Sequence, residues 1–179
     1  MKALALIILL FIPNPDSCLN LDVVLLVDTS ASVFNSQAFI NDAISTFRKR
    51  FIGTEVNVGI VTFNTTAGVR AHLGDTTTVS VFPCCSTNLL DGLRVATDEL
   101  YGPYGRNGFR KMVILISDGD VDEREKCRQM IRLMKTMGIG IFGVQVGSVH
   151  DFMKDNCDVY VESDYEMLAE EMSKMDLCL

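Results

Sequence analysis

Two uninterrupted apolar runs, each followed by an aspartate, constrain this chain more than any other feature. The first covers residues 23–27 and stops at Asp28, and the second covers residues 112–116 and leads through Ser117 to Asp118. A strand without polar positions has both faces buried, as in a parallel sheet covered by helices on both sides. Side chains just past such strands lie at the carboxyl edge of the sheet, where ligands bind in open α/β folds. We therefore expect an α/β fold with a polar site at that edge.

The rest of the chain alternates amphipathic helices with short strands. Apolar residues recur at helical spacing over residues 39–51 and 89–100, which predicts a helix in each segment. A third amphipathic helix is predicted to begin at the acidic run 120–125 and to end at Gly138. Two further helices are predicted over residues 149–154 and 164–175. A Ser163–Glu166 capping box is predicted to begin the last helix. Strands are predicted at 56–63, 68–73, 139–147 and 159–162. This alternation over residues 18–179 predicts one domain with a doubly wound, mostly parallel sheet flanked by helices.

Three oxygen-bearing side chains follow the first apolar run. Asp28, Ser30 and Ser32 alternate with small residues, so one carboxylate and two hydroxyls can converge just past the strand. The segment resembles the von Willebrand factor type A (vWA) domain, a Rossmann-like fold whose metal-ion-dependent adhesion site begins with Asp-x-Ser-x-Ser.

Two later segments extend this resemblance over nearly the whole of residues 18–179. The family pattern Thr-x-Thr-Gly-x-Ala-Leu is matched at Thr87, although Leu89 and Leu90 stand where the pattern has Thr and Gly. The family's Asp-Gly after an apolar strand is matched by Asp118-Gly119. The resemblance implies a metal site made of Asp28, Ser30, Ser32, Thr87 and Asp118. Taken alone, Thr87 is better explained as the cap of the helix that follows it, since helix N-caps favour Ser, Thr, Asp and Asn.

The chemistry of this set favours a hard cation. All five ligands are oxygens, which suit Mg²⁺, with Mn²⁺ or Ca²⁺ as alternatives, and disfavour zinc. Only two of the ligands carry a negative charge, so a divalent ion held there stays attractive to an outside carboxylate. The resemblance implies that an Asp or Glu of a protein ligand completes the coordination shell. His72 and His150 are isolated and are not expected to bind metal.

The amino-terminal residues predict export from the cell. Lys2 is followed by the uncharged apolar residues 3–12, too short a run to span a bilayer, so residues 1–17 are expected to be a signal peptide. No later stretch is long and apolar enough for a transmembrane anchor. The net charge of −7 argues against nucleic acid as a partner. We therefore expect a secreted, extracellular protein.

Export bears on the cysteines and on Asn64. Six cysteines in an exported chain predict disulfides, and Cys18 and Cys178 are expected to pair because they stand at the two ends of one domain. The pairing of the other four is left open: Cys84, Cys85, Cys127 and Cys157. Asn64-Thr65-Thr66 is an N-glycosylation sequon in a predicted hairpin turn, and a glycan is expected on Asn64.

Three functions follow from these patterns. The first is a secreted adhesion domain that captures extracellular protein ligands, such as matrix proteins, receptors or microbial surfaces, through a bound Mg²⁺. The second is a structural matrix or scaffold domain with an empty metal site. The third is a Mg²⁺-dependent phosphatase-like enzyme with Asp28 as nucleophile. That chemistry normally needs a second aspartate two residues on, where this chain has Ser30, so an enzyme is not expected.

Overall fold

The structure is a computed structural model that describes residues 20–147 and 150–177. Its strands are β1 (Leu21–Asp28), β2 (Asn57–Phe63), β3 (Ala67–Ala71), β4 (Arg110–Ser117), β5 (Ile139–Val146) and β6 (Val159–Ser163). Its α-helices are α1 (Gln37–Lys49), α2 (Leu89–Tyr101), α3 (Arg124–Thr136), α4 (Asp151–Asn156) and α5 (Leu168–Lys174). Two 3₁₀ segments, Ala31–Ser36 and Tyr165–Met167, precede α1 and α5.

The six strands form one sheet in the order β3-β2-β1-β4-β5-β6. All neighbouring pairs are parallel except β2 and β3, which form an antiparallel hairpin at one edge. The chain moves outward from β1 to β2 and β3, and then crosses to β4 on the other side. The predicted doubly wound, mostly parallel sheet flanked by helices is thereby confirmed, and its topological switch point lies between β1 and β4.

Helices cover both faces of the sheet, and the strand side chains alternate between the two resulting cores. Val23, Leu25 and Val27 of β1 point to the core that includes α1 and α5. Val24 and Leu26 point to the core that includes α2, α3 and α4. Every residue of β1 is buried, which explains why its sequence has no polar interruption.

Two local predictions about helix ends need correction. Only the end of the acidic run belongs to α3: the helix begins at Arg124, Glu125 lies in its first turn, and Glu123 precedes it in a left-handed conformation with φ of 48°. The predicted capping box at Ser163 does not form: the Ser163 hydroxyl donates to the carbonyl of Asp164, and a 3₁₀ turn precedes α5.

Several predictions fall on residues outside the described part of the chain. They are the signal peptide over residues 1–17 and the Cys18–Cys178 disulfide. Over the described residues, the longest helices have 13 residues, and none has the length and apolar character needed to cross a membrane.

Candidate metal site at the carboxyl edge of the sheet

Asp28 is the last residue of the central strand β1 and lies at the switch point of the sheet. The parallel register pairs Val27 with Ile116 of β4 and Asp28 with Phe63 of β2. The residue after Ile116 is Ser117, so the register brings Ser117 alongside Asp28. A buried polar group at this position must find hydrogen-bond partners within the protein.

Both carboxylate oxygens of Asp28 accept hydrogen bonds. The backbone amide of Ser30 donates to Oδ1 at 2.8 Å, and the Ser117 hydroxyl donates to Oδ2 at 2.8 Å. Burial raises the pKa of Asp28 above its ordinary value, and the nearby charge of Asp118 raises it further, while the bonds from Ser30 and Ser117 oppose the shift. Asp28 and Asp118 are thus close enough to repel each other.

The two predicted serines lie next to each other. The hydroxyl oxygens of Ser30 and Ser32 are 2.9 Å apart, with Ser30 buried and Ser32 exposed to solvent. The Asp28–Ser32 loop, residues 28–32, therefore presents its carboxylate and both hydroxyls together, as the spacing predicts. Thr29 anchors this loop to β2 through a backbone hydrogen bond of 2.8 Å to the carbonyl of Phe63.

Thr87 does not cap helix α2. Asn88 does, because its side-chain oxygen accepts from the backbone amide of Asp91 at 3.1 Å. Thr87 is partly exposed, and no hydrogen bond found among the described residues involves its hydroxyl. Gly92 in the first turn allows α2 to approach the sheet, since a Cβ there would lie 3.0 Å from the Cβ of Phe63.

Asp118 follows β4 and is almost fully buried at 9% exposure. Its Oδ1 accepts from the backbone amide of Asp120 at 3.2 Å. Gly119 has φ of 85° and lies against Gln145, so the tight turn after Asp118 depends on a residue without a side chain.

Two side chains at the site were not predicted from the sequence. Ser117 orients Asp28, and its place between an apolar strand and Asp118 is a signal that could have identified it. Tyr165 comes from the 3₁₀ turn before α5. Burial and the charges of Asp118 and Asp28 raise the pKa of Tyr165 to about 12, and a hydrogen bond with Ser36 opposes the shift. No local pattern marks Tyr165.

The site has an excess of negative charge that suits a cation. None of the ion pairs formed by described residues includes Asp28 or Asp118. The described residues contain no group of three His, Cys, Asp or Glu side chains that could hold a metal. The candidate set is of a different kind, because hydroxyls supply three of its five ligands. Two buried carboxylates with neutral oxygen donors fit a hard divalent ion.

Asn64 lies in the turn between β2 and β3, as predicted for the sequon. Its side-chain oxygen accepts from the amide of Thr66 at 3.3 Å, and its amide nitrogen lies 3.6 Å from the Cys84 sulfur. Thr65 and Thr66 are exposed. The hydroxyl oxygens of Thr65 and Ser86 are 3.2 Å apart, and the Asn88 side chain donates to the Thr65 carbonyl at 3.4 Å, so the sequon lies beside the segment that carries Thr87.

Comparison with known proteins places these features in one family. The family model of the von Willebrand factor type A domain matches residues 22–153. Mouse integrin alpha-11 is 26% identical over 137 residues, which are 70% of this chain and 12% of that protein. The chain therefore spans a small part of this relative's length.

Solved structures share the fold at low sequence identity. Proximal thread matrix protein 1 from the mussel byssus has a TM-score of 0.70 at 20% identity, covering 87% of this chain and 45% of that chain. A second structure of that mussel protein has a zinc-occupied MIDAS motif, the metal-ion-dependent adhesion site. Manganese-loaded Plasmodium vivax TRAP protein has a TM-score of 0.70 at 16% identity, covering 87% of this chain and 74% of that chain.

Proposed function

The chain belongs to the von Willebrand factor type A family, and we propose that it is a secreted binding domain that captures protein ligands through a divalent cation. The ligands of the cation are Asp28, Ser30, Ser32, Thr87 and Asp118, and the preferred ion is Mg²⁺. The observation that carries the proposal is the buried pair Asp28 and Asp118, which has no cationic partner among the described residues and is accompanied by neutral hydroxyls.

A cation at this site would act as a Lewis acid that attracts a carboxylate of the bound protein. The residues of the chain prepare the site for this role. Ser117 and the Ser30 amide hold the Asp28 carboxylate in one orientation. The exposed Ser32 lies at the rim of the site. The two carboxylates balance the charge of a divalent ion without exceeding it, and the other three ligands are neutral, so the ion can still accept an outside carboxylate.

The surface near the site supports protein binding. Phe34 is 61% exposed and lies two residues after Ser32, and Phe82 is 73% exposed and lies two residues before Cys84. Exposed aromatic side chains are enriched in the parts of interfaces that contribute most to affinity. An acidic side chain with an apolar neighbour is therefore the ligand that this surface fits best.

The cation itself can differ from Mg²⁺. The related structures hold manganese in the Plasmodium protein and zinc in the mussel protein. An all-oxygen set still favours Mg²⁺ or Mn²⁺ over zinc, which prefers nitrogen and sulfur ligands.

The scaffold alternative, a domain with an empty site, is separated from adhesion by cation titration. We expect calorimetry to show Mg²⁺ uptake by the wild-type protein. Asp118→Ala should weaken that uptake more than roughly 100-fold, because losing even an outer-shell partner costs about 10–100-fold. Asp120→Ala is the matched control, since it removes an equal charge two residues away on an exposed side chain.

The same variants test ligand capture. Wild-type protein should be retained on beads that carry an extracellular protein extract, and excess chelator should release it. Amidation of the carboxylates in the extract should also prevent retention, and Asp118→Ala should not bind. Adhesion through a cation would be contradicted if the wild-type protein took up no divalent ion, or if chelator did not release it from the beads. The scaffold function would then be the better explanation.

A further inference from the structure

The adjacent cysteines Cys84 and Cys85 have their sulfur atoms in unusually close contact. Both side chains are exposed, and their Sγ atoms lie 2.6 Å apart while unbonded. Unbonded carbon atoms pack at about 3.5–4.0 Å, and sulfur atoms are larger than carbon, so 2.6 Å is far inside an ordinary unbonded contact. The S–S bond of a disulfide measures about 2.05 Å. The backbone of this turn therefore already directs the two thiols at each other.

The turn has a backbone conformation that needs external support. Cys85 has φ of 73°, in the left-handed region that residues other than glycine seldom adopt. A residue held in such a conformation costs on the order of 1–3 kcal/mol and persists only where its surroundings impose it. At this position a covalent bond between the two side chains would supply the constraint.

The same turn is hydrogen-bonded to the Asp28–Ser32 loop at two points. The amide of Cys84 donates to the carbonyl of Thr29 at 2.8 Å, and the amide of Ala31 donates to the carbonyl of Cys85 at 2.9 Å. These bonds join the residues between Asp28 and Ser32 to the segment that ends at Thr87. The shape of the cysteine turn consequently sets how two parts of the candidate metal site face each other.

We propose that Cys84 and Cys85 form a disulfide with each other, and that this bond holds the Asp28–Ser32 loop in the shape that binds the cation. The second half rests on the proposed function, and the first does not. In the reaction both thiols lose their protons and the S–S bond forms. The two electrons pass to a small disulfide such as oxidised glutathione, which is split into two thiols.

Such a bond would be readily reduced. Adjacent Cα atoms are about 3.8 Å apart, below the usual range of about 4.4–6.8 Å for disulfides, and strained or exposed disulfides are the labile ones. Reduction would release the constraint on Cys85 and loosen the two hydrogen bonds to the loop. Oxidation state and cation affinity are thereby coupled.

The other two described cysteines do not share this arrangement. Cys127 is buried and its sulfur lies 3.6 Å from the carbonyl of Asp122. Burial raises the pKa of Cys127 to about 11 and that of Cys157 to about 12. The hydrogen bond with Cys85 raises the pKa of Cys84 as well, so the contact between the two sulfur atoms, and not thiol acidity, distinguishes Cys84 and Cys85. Substitution of Cys157 therefore serves as a control for the loss of a thiol away from the site.

Peptide mapping tests the disulfide itself. The full chain, secreted from a eukaryotic host, is unfolded without reductant, alkylated with iodoacetamide and digested. The peptide with Cys84 and Cys85 should carry no alkyl group and lack two hydrogen atoms, and reduction before alkylation should add two alkyl groups. Alkylation of both residues without reduction, or a link from either one to another cysteine, would overturn the proposal.

Calorimetric titration with Mg²⁺ tests the coupling. Reduction with a phosphine should weaken Mg²⁺ binding by the wild-type protein roughly tenfold, at the low end of the range for outer-shell changes. The double variant Cys84→Ser and Cys85→Ser should bind like the reduced protein and ignore the reductant. Cys157→Ser should respond to the reductant as the wild type does.

Two failures of this experiment have different meanings. Equal Mg²⁺ affinities in the oxidised and reduced wild-type protein would overturn the coupling and leave the proposed function standing. A wild-type protein that binds no Mg²⁺ in either state would overturn the proposed function together with the coupling. In both cases peptide mapping still decides whether the disulfide exists.

Discussion

Among single residues, Asp28 affects both the stability of the folded protein and its binding of a cation. Its carboxylate is almost completely buried, and its hydrogen-bond donors are an amide and a hydroxyl, with no positive charge. The folded protein without metal therefore holds a charge that burial disfavours. A cation at the site would remove that disadvantage, so binding and stability are linked through this side chain.

The first prediction concerns the pH dependence of the metal-free protein. Because the folded pKa of Asp28 is raised, its contribution to stability is present below the unfolded pKa, near 3.8, and is lost as the pH rises through the folded pKa. Asp28→Asn should therefore stabilise the metal-free protein above that range and make little difference at lower pH. Urea unfolding of both proteins at several pH values measures the difference, and equal stability at neutral pH would contradict it.

Addition of Mg²⁺ should reverse this ranking. The wild-type protein gains stability from a ligand that binds only the folded state, and Asp28→Asn should gain none. As the pH is lowered, Mg²⁺ binding should weaken at a higher pH than an ordinary aspartate would give. The reason is that the raised pKa of Asp28 lets protons compete with Mg²⁺ for its carboxylate at that higher pH.

The second prediction concerns Asn64. Protein secreted from a eukaryotic host should carry a glycan there, because the sequon lies in an exposed turn. Glycosidase treatment should lower the mass of the wild-type protein and leave that of Thr66→Ala unchanged. This control keeps Asn64 and removes only the sequon. An unmodified wild-type protein would contradict either the export of the chain or the accessibility of the turn.

At the scale of elements, the carboxylate of Glu99 joins helix α2 to the end of β3. Its Oε1 accepts from the backbone amide of Leu73 at 2.8 Å, and its Oε2 lies 2.9 Å from Nδ1 of His72. His72 in turn stacks on Tyr104 with ring centroids 3.8 Å apart. His72 thus joins Glu99 of α2 to Tyr104 in the loop after that helix.

The third prediction follows from the burial of Glu99. Glu99→Ala should destabilise the protein by about 1–3 kcal/mol, because it leaves the amide of Leu73 without a partner. Asp98→Ala is the matched control on the exposed face of the same helix. Chemical unfolding measures both variants, and similar stabilities would show that Glu99 does not join these elements.

At the scale of the whole molecule, the two edges of the sheet have different roles. The carboxyl edge carries the candidate metal site, and the amino edge carries a buried ionic cluster around Asp22. Lys111 lies 2.6 Å from one carboxylate oxygen of Asp22, and Arg106 donates its Nε to the other at 2.7 Å. This cluster ties the loop after α2 to the start of β1.

The fourth prediction is that stability and cation binding can be changed separately. Asp22→Ala should destabilise the protein by about 3–5 kcal/mol, because it leaves the buried Lys111 without its partner. Mg²⁺ affinity of the folded fraction should not change. Lys126→Ala, which breaks an exposed ion pair with Glu123, should have a much smaller effect on stability. A small effect of Asp22→Ala on unfolding, or a loss of Mg²⁺ affinity, would contradict the separation.

The features that could be predicted from the sequence are those that depend on local pattern. The uninterrupted apolar runs that end at Asp28 and Asp118 indicated buried parallel strands, because only a two-sided core accepts such runs. The spacing of Asp28, Ser30 and Ser32 placed three oxygen groups in one loop, and alternation of strands and helices indicated the doubly wound sheet. Each inference uses residues within one element or its flanking loop.

Other features of the site depend on how elements that are distant in the sequence pack against each other, which no local pattern predicts. The register between β1 and β4 brings Ser117 to the Asp28 carboxylate. The 3₁₀ turn before α5 brings Tyr165 near enough for the charges of Asp118 and Asp28 to raise its pKa. Local pattern also suggested Thr87 as the cap of α2, but in the folded chain Asn88 is the cap. The physical reason is that a short polar side chain can serve several partners, and which one it meets is determined by the register and approach of elements far away in the sequence.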